Sequence, residues 1–204
     1  NDLVNVLVFY ASNNIIYMMV LGSIYAIVLS SNILLKEEYN KTAEYLLTKP
    51  LTRSEVFFSK LVPVLINVLV LNLVTTLAGF LGIELVKNES FNIRAFLVLS
   101  AYTFFLNILF CCIGLFMSTL IKRSRPIITF SIGLVLIFYF IYTLSKITEG
   151  ISTLGYLSPF HYVNLNVVSP GYKLELWNIM FFLGLSFLLV LFSYRRYLRR
   201  DIYL

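Results

Sequence analysis

The chain has 204 residues, is 59% hydrophobic and only 13% charged, and carries a net charge of +6. Soluble domains run about 45–50% apolar and about 25% charged, so a soluble enzyme, a disordered chain and a disulfide scaffold are excluded. The excess positive charge sits in short clusters beside apolar runs, which is the pattern of membrane topology rather than of a nucleic-acid footprint.

In chain order, residues 1–12 are expected to form an outer loop or the approach to a first span. Five apolar runs follow, over residues 13–35, 61–83, 95–121, 127–144 and 176–194, none containing Asp, Glu, Lys, Arg or His. About 20 apolar residues cross a bilayer as a helix. In lipid every backbone group must be satisfied internally, which leaves helices or a closed barrel. The runs lack the two-residue alternation of barrel strands. The expected fold is therefore an all-α, polytopic membrane protein.

Residues 36–60 connect the first two runs and read KEEYNKTAEYLLTKPLTRSEVFFSK. Pro50 divides this connection, because the residue before a proline avoids the α region. Before it, residues 42–47 suit a short helix presenting Leu46 and Leu47. After it, Thr52-Arg53-Ser54-Glu55 has the form of a capping box, so a helix starting there would continue into the second span. Two readings remain open: a solvated basic loop that anchors its spans, or an elbow that meets a cytoplasmic partner.

In the second run, Asn72, Thr75, Thr76 and Gly79 fall on one helical face. Asn67 and Asn107 also lie at membrane depth. Interhelical hydrogen bonding explains such residues; a translocation path or a subunit interface is the sharper alternative. The adjacent Cys111 and Cys112 read as small buried residues. Residues 84–93 form an ordinary outer loop, and Asn88-Glu89-Ser90 matches a glycosylation sequon there without other support. Residues 122–126 form a basic hairpin. The semi-apolar segment 146–173, broken by Pro159 and Pro170, suits interfacial or re-entrant helices, and His161 is the single histidine of the chain.

Twelve of the sixteen basic residues lie in the connections 36–60 and 122–126 and after the last run, and only Lys87, Arg94, Lys146 and Lys173 lie on the other side. The positive-inside rule makes the first side, and with it the C-terminus, cytoplasmic. Five spans would then place Asn1 outside, so a further span upstream of it is expected.

The chain has no phosphate loop of the GxxxxGK[ST] form and no HExxH. Glu37-Glu38 resembles the start of an intramembrane protease motif, but Thr42 stands where that motif needs arginine. Ion-coupled carriers place ionisable groups in the membrane, and selective channels need a filter; neither is present in the five runs. Energy for transport would come from another polypeptide.

The stretch from Glu38 to Arg53 resembles the cytoplasmic elbow of ABC-transporter permeases of the type-2 exporter family. Glu38, Thr42, Glu44, Leu46, Leu47, Pro50, Arg53 and Lys60 carry the likeness; Lys41 stands where the family commonly has glycine. Residues 156–162 resemble that family's outer segment before its last span, and Arg199-Arg200-Asp201-Ile202 resembles a common ending. The resemblance implies six spans, five of them within this sequence. It implies a bacterial plasma-membrane exporter subunit with no cofactor of its own. A separate ATP-binding subunit would carry ATP and Mg, and a second permease, identical or homologous, would complete the path. It also implies that the elbow residues Glu38, Thr42, Glu44, Leu46, Leu47, Pro50 and Arg53 couple to the ATPase. A stand-alone channel or carrier, or a structural membrane subunit that moves nothing, are the other readings.

Overall fold

The computed structural model describes residues 2–33, 52–86, 92–121, 124–147, 149–167, 169 and 171–199. The described residues are helical with no strand among them, as the composition requires. Helix α1 (Asp2–Asn14) runs through a π-helical segment, Ile15–Leu21, into α2 (Gly22–Ile33). Residues 2–12 are thus helical, not a loop: the apolar stretch after Asp2 extends the first helix upstream of the hydropathy run. Then come α3 (Arg53–Val86), α4 (Ile93–Leu120) and α5 (Ser124–Ile147). Two 3-10 helices, Glu149–Leu157 and Pro159–Tyr162, precede α6 (Leu176–Leu198). Five helical stretches are long and apolar enough to cross a membrane: Val8–Ile33, Arg53–Leu85, Ile93–Leu120, Pro126–Ile147 and Leu176–Leu198.

Helix α4 is the hub and packs against α2, α3, α5 and α6. It starts on Asn92, whose side chain accepts a hydrogen bond from the Ala95 amide at 3.1 Å, so one of the four orphan amides of its first turn is satisfied. Its main partner is α2, and the sequence explains why they approach closely. Gly22, Ala26 and Ser30 recur every four residues on one face of α2, and all are buried. Gly114 of α4 meets that face: a Cβ there would collide with the Ile27 carbonyl and the Ser30 hydroxyl. In lipid there is no hydrophobic drive between helices, so small residues that let backbones approach carry the association.

Helix α3 behaves differently. Its 34 residues span roughly 51 Å at 1.5 Å per residue, well beyond a hydrocarbon core of about 30 Å. It therefore projects out of the bilayer. Most of its large side chains, among them Ile66, Val70, Leu73, Val74 and Leu77, are exposed. Pro63 lies within it and removes one ladder hydrogen bond.

Candidate functional site

Three places gather the polar and aromatic residues that the spans would otherwise not need. The first is a buried polar seam. Ser23 of α2 donates to Asn107 Oδ1 of α4 at 3.3 Å, and Asn107 Nδ2 donates to Asn72 Oδ1 of α3 at 3.1 Å. Asn72 in turn donates to the Val68 carbonyl at 2.8 Å. One turn away, the Thr103 hydroxyl reaches Asn14 Oδ1 at 3.0 Å, and Asn14 Nδ2 reaches the Tyr10 hydroxyl at 3.4 Å. Asn72, Asn107, Ser23, Thr103 and Asn14 are all buried. Tight backbones make this possible: a Cβ on Gly22 would lie 2.9 Å from Asn107 Nδ2, and one on Gly79 would strike the Tyr10 ring. Buried amides without partners are costly in an apolar medium. Here they tie three helices together.

The structure therefore brings Asn72 and Asn107 into contact inside the chain. Thr75 and Thr76 are half-buried beside that seam, and the Thr75 hydroxyl bonds the Leu71 carbonyl at 2.7 Å. Asn67 points elsewhere: it is exposed and folds back onto the Pro63 carbonyl at 2.8 Å. Cys111 and Cys112 are buried, free thiols.

The second place is the start of α3. The Thr52 amide donates to Glu55 Oε2 at 2.7 Å, and the Glu55 amide donates to Thr52 Oγ1 at 3.3 Å. This is the reciprocal capping box expected from the four-residue pattern. The first turns are then latched to the end of α6. Arg53 donates to the Leu198 carbonyl at 2.9 Å, where the C-terminal carbonyls of a helix lack intrahelical partners. Ser54 and Tyr194 share a hydroxyl hydrogen bond of 2.9 Å. Phe57, fully buried, meets the rings of Tyr194 and Tyr197 at centroid distances of 5.4 and 5.7 Å. Arg53 is thus engaged within the chain. The other elbow residues singled out from the sequence, Glu38, Thr42, Glu44, Leu46, Leu47 and Pro50, lie outside the described residues. Sequence reasoning missed Phe57, Tyr194 and Tyr197. Their only signal is the spacing of the two tyrosines, which places them on one face of α6.

The third place is the segment between α5 and α6. Ser158 donates to the Phe138 carbonyl at 2.7 Å and accepts from the Phe160 amide at 3.3 Å. Pro159 opens the short 3-10 helix. Phe160 is thereby driven into the bundle, against Phe110 at 5.4 Å and Tyr139 at 5.8 Å. Tyr162 stacks on Phe181 at 3.8 Å. The segment closes against α4 through Tyr102, whose hydroxyl accepts from the Glu175 amide at 2.9 Å. Burial and then the charge of Lys146 hold the His161 imidazole below its ordinary pKa. Burial and then neighbouring Tyr102 raise that of Tyr172. The segment plugs the end of the bundle at which α6 begins.

None of these places assembles a nucleophile with a general base. Among the described residues no group of three or more His, Cys, Asp or Glu could hold a metal. What remains is a multi-pass bundle with an extended helix that starts at a capping box. The sequence profile described as ABC-2 family transporter protein matches residues 3–202.

The chain belongs to the ABC-2 transporter family. A search of curated proteins finds no match. As an ABC-2 permease domain it is the membrane component of an ABC transporter, a family that works with an ABC ATP-binding subunit. The polar seam, the capped start of α3 and the plug before α6 are accordingly features of a permease: they position helices instead of reacting groups.

Proposed function

We propose that this permease serves an ATP-driven exporter, with the connection 36–60 as the coupling elbow and α3 as the lever. The observation that carries the reading is the beginning of α3. The capping box fixes where the helix starts, and from there it runs without a break for 34 residues into the membrane. A displacement delivered at the elbow therefore moves the membrane-embedded part of α3 as a rigid body. The seam through Asn72 and Asn107 passes that motion to α4 and α2.

In this reading Leu46 and Leu47 fill a groove on the ATP-binding subunit, and Glu38, Thr42, Glu44 and Pro50 shape the elbow around them. ATP and Mg sit on that partner. Arg53 acts from the other side, holding the elbow's exit to the end of α6. The exposed faces of α3 and α5 suit a second permease copy or homologue. Asn67, with Thr75 and Thr76, is then the polar group available to the path or the subunit interface. The elbow faces the cytoplasm, as the distribution of basic residues supports, in the plasma membrane of a bacterium.

The test is co-purification with an ABC ATP-binding subunit, which this reading expects in a neighbouring reading frame. Wild-type permease should retain the ATPase in detergent, and Leu46→Asp combined with Leu47→Asp should release it while the permease stays monodisperse. A permease that moves substrate alone in liposomes without ATP would refute the reading.

A further inference from the structure

The ends of α4 and α6 enclose a cavity that neither the seam nor the latch uses. It measures about 600 Å³ and is lined by Phe116 and Leu120 of α4, by Phe192, Arg195 and Arg196 of α6, and by Arg199 just beyond it. Phe192 and Leu120 are exposed within it. Phe192 lies about one turn deeper along α6 than Arg195 and Arg196, and Phe116 one turn deeper along α4 than Leu120, so the cavity is apolar toward the membrane and cationic at its mouth. Arg196 is pinned by its Nε, which donates to the Thr119 carbonyl at 3.4 Å. Its terminal nitrogens remain for another acceptor. The side chains of Arg195 and Arg199 make no hydrogen bond or ion pair among the described residues, and no carboxylate among those residues lines the cavity.

Three guanidinium groups with no anion among the described residues, set on an apolar cleft at the end of two spans, have a specific complement. We propose that this cavity binds an anionic phospholipid of the cytoplasmic leaflet, its phosphate on Arg195, Arg196 and Arg199 and the upper part of an acyl chain along Phe116 and Phe192. Guanidinium matches phosphate geometrically, with paired charge-assisted hydrogen bonds. Basic pockets between spans on the cytoplasmic side are suited to such headgroups. A free anion would satisfy the arginines but leave the apolar wall open to water; a phospholipid satisfies both. The same turn of α6 carries Tyr194 and Tyr197, which grip Phe57. Lipid bound on one side of this turn therefore steadies the latch on the other.

Native mass spectrometry of the full chain in detergent tests the proposal, with phosphatidylglycerol, phosphatidylcholine or inorganic phosphate added. Phosphatidylglycerol adducts should exceed phosphatidylcholine adducts. They should fall about thirtyfold in Arg195→Gln combined with Arg199→Gln. Arg195→Lys combined with Arg199→Lys should recover part of the binding, which separates lost charge from lost fold. Lys146→Gln combined with Lys173→Gln, an equal charge loss on the opposite side, should leave the adducts unchanged. An equal fall in that outer variant, undiminished adducts in the arginine variant, or full displacement by inorganic phosphate would each overturn the lipid assignment.

Discussion

Helices α3 and α4 have the same mean hydropathy, yet 22% of the residues in the apolar window of α3 are buried against 61% in α4. Hydropathy reports what a helix tolerates, and small and polar residues report what it touches. Helix α4 carries Gly114, Thr103, Asn107 and Ser118 along its buried side. Helix α3 offers one inward face, through Val68, Asn72 and Ile83, and leaves the rest to lipid or to another subunit. Helix α4, packed on most sides, is the helix around which the bundle is assembled. Helix α3, packed on one side, is the less confined of the two.

This contrast is most directly broken at glycine. Gly114→Leu should destabilise the chain by about 3 kcal/mol or more, since the new side chain meets the α2 backbone. Gly82→Leu on α3, where nothing lies within 4 Å, should leave thermal unfolding in detergent unchanged. Equal effects would show that α3 is as confined as α4.

Next in size is the one tightly held turn of α3. Phe57→Ala should cost about 3 kcal/mol and loosen the end of α6, seen as faster proteolysis after Tyr194. A smaller loss, about 1 kcal/mol, is expected for Asn107→Leu, which removes two interhelical hydrogen bonds of roughly 0.6 kcal/mol each. Asn67→Leu should be neutral in the isolated chain, and a double-mutant cycle should couple Asn107 to Asn72 but not to Asn67.

The smallest expected effect concerns the plug before α6. A lowered imidazole pKa means that the unfolded segment binds the proton better. Stability is therefore complete above the ordinary value of about 6.5 and declines as pH falls below it. Once corrected for the slower intrinsic exchange at lower pH, amide protection in residues 156–162 should fall between pH 7.5 and 5.5, and His161→Gln should flatten that response.

Much of this frame was readable from the sequence, for identifiable reasons. Lipid leaves the backbone little choice, so charge-free runs gave the spans. Thr52 and Glu55 gave the start of α3 because a capping box is local. Lys60 ended the apolar run but not the helix, because a charge limits burial and not helical conformation; the hydropathy boundary fell eight residues inside the real one. The polar face of α3 was legible as a face. Its partner was not, since Asn107 lies 35 positions along the chain and nothing local pairs it with Asn72. The latch was the least legible: a tyrosine at the end of a span reads as part of an interfacial belt, and only the fold shows Phe57 between two of them.

The hydrogen bond from Arg53 to Leu198 joins residues 145 positions apart. At a synthesis rate of 5–20 residues per second, the second partner emerges roughly 7–30 seconds after the first. Throughout that interval the root of α3 has its cap but not its anchor. The anchor forms only when α6 has been made and inserted. Until then the first turn of α3 is held by its capping box alone, so its fixed position is a late product of synthesis and not an early one.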